Sequence, residues 1–252
     1  MSKPNEKLAE SLAALQELQK TGRRILRSQE LSRTHRERLL RNGFLREVVK
    51  GWLMSSSPSA REGDSTPWYA SFWEFCTSYC TDRFGDSWHL SPEQSLLLHA
   101  ENSVIPAQVV VYSPKGSNHT MNLLFHTSLY DLKQPDMPSA SDVSVKGGLR
   151  LFSPATSLVK VTESFFARNP IETQVVLAGI RDASDVLRLL LDGGNTTKAG
   201  QLAGAFRRIG RPQIVGHKAG PDQPMRHQIG KPGGIVHIGL AAWHVLYMGS
   251  VG

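Results

Sequence analysis

Ten of the side chains from Lys20 to Lys50 are lysine or arginine, and only Glu30, Glu37 and Glu47 oppose them, a local net charge of +7. Guanidinium and ammonium groups at that density suit one kind of chemistry, charge-assisted hydrogen bonding to a polyanion. The whole chain also carries +7 over 252 residues, so the excess is local. Residues 1–19 are net −1, residues 51–206 net −4, and residues 207–252 net +5. A basic segment ahead of a mildly acidic body is the layout of a nucleic-acid-binding module joined to a second domain. The plainer reading of the same residues is a solvated basic helix face.

Other reactive side chains are less organised. Cys76 and Cys80 lie four apart, and a zinc site would have to recruit His89 and His99. Structural zinc sites show tighter paired spacings, so buried helical thiols are expected and no metal. Asp182 and Asp185 suit the first turn or solvent face of a helix. No phosphate-binding glycine loop, dinucleotide fingerprint, HExxH, nucleophile elbow or CxxC pair occurs. Neither a catalytic site nor a cofactor is therefore expected. Two cysteines in 252 residues suit a reducing cytosol. Residues 1–10 lack the apolar run of a secretory signal, and no stretch of about 18 apolar residues is present to cross a membrane.

The elements that must position the basic residues can be read from spacing. Leu8, Leu12, Leu15 and Leu18 form one helical stripe over residues 7–21, with Gly22 as a stop. Residues 24–31 suit a short helix or a strand. Ser32 or Thr34, the latter paired with Glu37, can cap a helix running to Arg41, and Asn42-Gly43 ends it. Two β-prone runs, 44–49 and 52–54, flank a turn at Lys50-Gly51. Helix, short element, basic helix and basic hairpin is the order of a winged helix-turn-helix, whose second helix enters the major groove. At 100° per residue Arg36 falls between Leu39 and Leu40, near the buried seam. Thr34, Arg38 and Arg41 fall opposite, with Arg33 at the margin. The expected DNA contacts are therefore Arg33, Thr34, Arg38 and Arg41 from the helix, with Arg46 and Lys50 from the hairpin.

Polar residues 57–67 read as a linker after a domain over 1–56. Seven aromatics over residues 68–84 fit a helix with a broad apolar face. Ser91-Pro92 and Ser153-Pro154 open helices. Gln108–Tyr112, Leu123–His126, Leu129–Leu132 and Leu149–Phe152 are strand candidates. Three further helices follow, from Asn169-Pro170, from Asp182 to Leu191 and from Thr196 to Ile209. Residues 68–210 thus read as a mixed α+β domain of ordinary size. Residues 211–252 are rich in glycine and proline and are expected to be irregular; His217, His227, His237 and His244 there have no recognised metal spacing.

The run Ser32–Ser56 resembles the winged helix of type IV antitoxins of the abortive-infection class (AbiEi-type). The resemblance rests on Leu39, Leu40, Gly43, Gly51 and Trp52. Ser95–His99, Pro106–Val111 and Leu149–Pro154 carry it into the second domain. From about Phe44 to Arg211 the chain is also similar to the N-terminal region of long bacterial Fic-family proteins. The most specific part is Gly63–Cys76 through Leu90–Asn102. The Fic motif, a His-Pro-Phe start followed by Gly-Asn-Gly and Arg, is absent, so nucleotidyl transfer is not expected. The resemblance implies a DNA-binding regulator with double-stranded DNA as partner. It also implies a toxin or Fic-type protein as a second partner, and a homodimer is a natural state for such a reader. An interaction module that holds such a partner without touching DNA is the alternative.

Overall fold

The computed structural model describes residues 4–59, 61, 63–193 and 196–210. The expectations for residues 211–252 lie outside them. The chain begins with α1 (Pro4–Gln19), whose Leu15 is buried and whose Leu12 and Leu18 pack beside it. Gly22 ends it with φ +80°, its amide on the Gln19 carbonyl. β1 (Ile25–Arg27) follows, then a single 3-10 turn over Ser28–Glu30, so residues 24–31 are strand and turn together. α2 (Arg33–Arg41) starts where the Ser32 hydroxyl accepts from the His35 amide at 3.2 Å. Ser32 rather than Thr34 is the cap, because Glu37 is occupied by Arg33. Gly43, at φ +75°, turns the chain into β2 (Leu45–Val49) and β3 (Trp52–Ser55). The antiparallel sheet has the order β1-β3-β2.

Strand alternation gives β3 two buried faces. Leu53 points with Leu26 and Leu45 into a core shared with Leu15, Leu31 and Leu39. Trp52 and Met54 point the other way, with Ile25 and Val48, against α3 (Thr66–Phe84). Trp52 meets Phe75 edge-on with centroids 5.9 Å apart, a geometry worth roughly 0.5–1.5 kcal/mol beyond the buried area. The Glu74 carboxylate accepts the backbone amides of Arg24 and Ile25, and Arg27 pairs with Asp82. Of the expected linker 57–67, the described residues before Thr66 are loop, Thr66 and Pro67 open α3, and all described residues fall within one compact unit.

After α3 come β4 (His89–Leu90), α4 (Pro92–His99), β5 (Gln108–Ser113), β6 (His119–Asn122) and β7 (Ser128–Lys133). They form a four-stranded sheet of order β4-β5-β7-β6, with β5 and β7 parallel and the other pairs antiparallel. Trp68 of α3 anchors it, donating from Nε1 to Thr127 Oγ1 at 3.0 Å. The expected strand over Leu123–His126 is instead a turn, because Phe125 and His126 hold left-handed φ values of 50° and 60°. A hairpin of β8 (Val143–Lys146) and β9 (Leu149–Phe152) leads into the helical part. That part comprises α5 (Pro154–Lys160), α6 (Glu163–Arg168), α7 (Pro170–Gly179), α8 (Ser184–Asp192) and α9 (Thr196–Arg208). Leu158, Phe165, Val176, Leu177, Leu202 and Phe206 form its core. The described chain is thus a mixed α+β structure. Among the described residues no helix is long and apolar enough to cross a membrane.

Candidate nucleic-acid interface

The six expected contact residues sit on α2 and the β2–β3 hairpin, and the structure sorts them. Thr34 and Arg41 are exposed on α2 and Lys50 is exposed at the hairpin turn; none of their side chains is hydrogen-bonded to another described residue. The Lys50-Gly51 turn is tight because Gly51 takes φ +88°. Arg33 is exposed, but its Nε donates to Glu37 Oε1 at 2.7 Å. That hydrogen bond holds the Glu37 carboxyl below its ordinary value. Arg33 and Glu37 thereby neutralise one another at the start of the helix.

Arg38 does not face outward as its position on the α2 wheel suggests. Its Nη1 donates to the Lys7 carbonyl at 2.6 Å and to Ser11 Oγ at 2.7 Å. The wheel describes α2 alone, and α1 covers that side. Ser11 is fully buried there and also meets His35 Nδ1 at 2.9 Å. Arg36 does lie by the seam: it is half-buried, and its Nη1 donates to the Ser28 carbonyl at 3.0 Å.

Arg46 is exposed on β2, the edge strand of its sheet, and its guanidinium rests over the Phe125 ring at 5.5 Å. Phe125 belongs to the left-handed turn of the second sheet. Beside Arg46 an open groove of about 360 Å³ runs between the end of α2, the start of β2 and the chain leaving β3. Leu40, Leu45 and Pro58 supply its apolar walls, and Arg46, Arg61, Ser56 and Ser57 its polar ones. Arg61 falls in the stretch read as linker, where a lone arginine among polar residues carries no signal.

The other chemical candidates are absorbed by the fold. Burial among aromatics pushes both thiols up, Cys76 helped by Cys80 and Cys80 opposed by Arg83, so neither is a ready thiolate. His99 Nε2 lies 2.7 Å from the Phe152 carbonyl, and His89 Nδ1 lies 3.0 Å from that of Leu90. Asp182 accepts the amide and hydroxyl of Ser184 at the start of α8, and Asp185 lies in its first turn. Among the described residues no group of three or more His, Cys, Asp or Glu could hold a metal ion. No protein-family model matches the chain, and no curated protein is significantly similar to it.

Proposed function

We propose that this chain binds duplex DNA through α2 and the β2–β3 hairpin, as a transcriptional regulator of the antitoxin type. The observation that carries the reading is the set Thr34, Arg41, Arg46 and Lys50, exposed on two consecutive elements. Their order and the β1-β3-β2 sheet support a winged helix-turn-helix. Thr34 and Arg41 are seven residues apart, about 10 Å along one face of a helix, a span that fits within a major groove. Lys50 lies about 13 Å along β2 from Arg46, in place to meet a flanking phosphate. Such a reader works in the cytoplasm, on DNA, and performs no catalytic step. Two copies on paired half-sites is its natural stoichiometry, and a cognate toxin or Fic-type protein its second partner.

Fluorescence anisotropy against the DNA upstream of its own coding sequence, beside a scrambled duplex, tests the reading. Affinity that prefers the upstream duplex and falls with salt supports it. Affinity for neither duplex at low salt overturns it.

A second reading has its own observation. Ile171 and Val175 are one turn apart and exposed on α7, and so are Leu187 and Leu191 on α8. Exposed apolar pairs of this kind favour a protein partner on the helical part. The DNA-binding reading takes precedence because three of its four residues are cationic and all four are collected on one helix and one hairpin.

A further inference from the structure

We infer that the groove between Arg46 and Arg61 is a phosphate clamp that takes a backbone phosphate of the bound duplex, with Phe125 as the residue that positions Arg46. This inference rests on the DNA-binding reading and extends it from Arg46, an expected contact, to Arg61 and Phe125, which were not among the expected contacts. Leu40 and Gly43 of the groove lie on either side of exposed Arg41 in the chain, so it continues the same surface.

Its chemistry is that of an anion site. Two guanidinium groups and two hydroxyls line it, and no carboxylate does among the described lining residues. Asp64, the carboxylate nearest to Arg61 along the described chain, accepts the Thr66 amide at 3.0 Å, and the charge of Arg61 is the smallest of the influences on it. A phosphate oxygen accepts hydrogen bonds and a guanidinium presents them as a planar fork, so an arginine pair suits it better than lysines would. The apolar walls from Leu40, Leu45 and Pro58 exclude water on one side, which strengthens each charge-assisted bond.

The groove is also built rather than incidental. The Ser56 amide donates to the Phe44 carbonyl at 2.9 Å, which ties the chain leaving β3 to the end of α2. Pro58 packs against Gly43 so closely that a Cβ at Gly43 would lie 3.4 Å from the Pro58 Cα. Arg46 is held from the far side by the Phe125 ring. Phe125 and His126 adopt left-handed backbone values, φ 50° and 60°, that side chains rarely take. The second sheet thus spends strain to present a ring to an arginine of the first.

The test is the salt dependence of duplex binding, measured by anisotropy on the full chain. Each phosphate contact contributes a slope near −0.9 in log affinity against log salt. Arg61→Ala, on an exposed loop, is expected to flatten the slope by about 0.9. It should weaken the upstream and scrambled duplexes by the same factor, as a contact to phosphate rather than base requires. Arg46→Ala should do likewise. Phe125→Ala should lower the slope without contacting DNA, and Phe125→Tyr should restore it, whereas a loss of fold would show in the thermal midpoint. Duplex binding with an unchanged slope in Arg61→Ala and Arg46→Ala overturns the clamp and leaves the DNA-binding reading standing. No duplex binding by the wild type overturns both. A calorimetric titration with inorganic phosphate separates the two phosphate sources. Saturable millimolar binding that Arg61→Ala abolishes, in a chain that ignores duplex, makes the groove a free-phosphate site and contradicts the inference.

Discussion

Arg38 on α2 donates through one nitrogen to both the Lys7 carbonyl and the Ser11 hydroxyl of α1, at 2.6 and 2.7 Å. This arginine of the basic run is therefore a clasp between two helices. Hydrogen bonds from a charged donor are worth about 1.5–3 kcal/mol, and removal leaves the buried Ser11 hydroxyl with only the Lys7 carbonyl and His35 Nδ1 as partners. Arg38→Ala should lower the urea midpoint and speed amide exchange in α1. A variant as stable as the wild type would show that α1 is held by its leucines alone.

Trp52 is placed to make the first sheet and α3 unfold together. It sits between Phe75 and Tyr79, with Arg27 over its ring at 4.8 Å. Trp52→Ala should cost about 3–5 kcal/mol. Unfolding of the wild type should be one transition by tryptophan fluorescence and by far-ultraviolet dichroism. Two separated transitions would mean that residues 1–56 fold independently of the rest.

Stability should fall between pH 7 and pH 5. Burial holds His89 and His99 below the ordinary histidine value of 6.5, against their backbone hydrogen bonds. Their folded-state values are depressed, so in this window the unfolded chain binds more protons than the native one. The stability they contribute is full above 6.5 and is lost as pH falls below it. Asp142 belongs to a lower window: burial opposes its ionisation, but hydrogen bonds from Arg188 and Ser139 outweigh that. Its contribution is lost only as pH falls below the ordinary aspartate value of 3.8. Urea midpoints across pH 7 to 5 should decline. His89→Phe, which removes the titrating ring nitrogens and keeps an aromatic ring beside Phe152 and Tyr112, should flatten the decline.

The thiols should be silent in the native state. Cys76 and Cys80 are fully buried and their acidity is suppressed well past the ordinary value of 9.0. A disulfide-exchange reagent at pH 8 should label none of them without denaturant and both in urea. With folded values raised, their contribution to stability is full below 9.0 and is lost as pH rises above it. Rapid native labelling of one thiol would place an opening near the middle of α3.

Local chemistry was the most legible level of the sequence. Ser32, Ser91 and Ser153 each cap the helix they announce, and Gly51 makes the turn that Lys50-Gly51 suggests. The leucine stripe of α1 and the aromatic face of α3 also follow from spacing. Short strands were less legible: β6 and β8 are four residues each, mostly exposed or half-buried, with no apolar alternation to mark them. Leu123–His126 misled because its apolar residues serve a strained turn. At the site, Arg41, Lys50 and Thr34 lie where the helix and turn put them. Arg38 could not be placed from α2 alone, since its partner is 31 residues away on another helix. Arg61 could not be found at all, because tertiary contacts, Pro58 against Gly43 and the Ser56 amide on the Phe44 carbonyl, bring that loop beside Arg46.

The most direct test of the account is duplex binding by the wild type beside the Arg41→Ala/Lys50→Ala variant. Neither side chain is hydrogen-bonded or ion-paired to another described residue, so the pair should leave the thermal midpoint unchanged. Titrated with the upstream duplex from low to moderate salt, the wild type should bind with a steep salt slope. The variant should bind at least tenfold more weakly, with a slope lower by about 1.8 for two lost phosphate contacts. Equal binding by the two proteins, or none by either, would contradict the assignment of α2 and the hairpin as a DNA-binding surface.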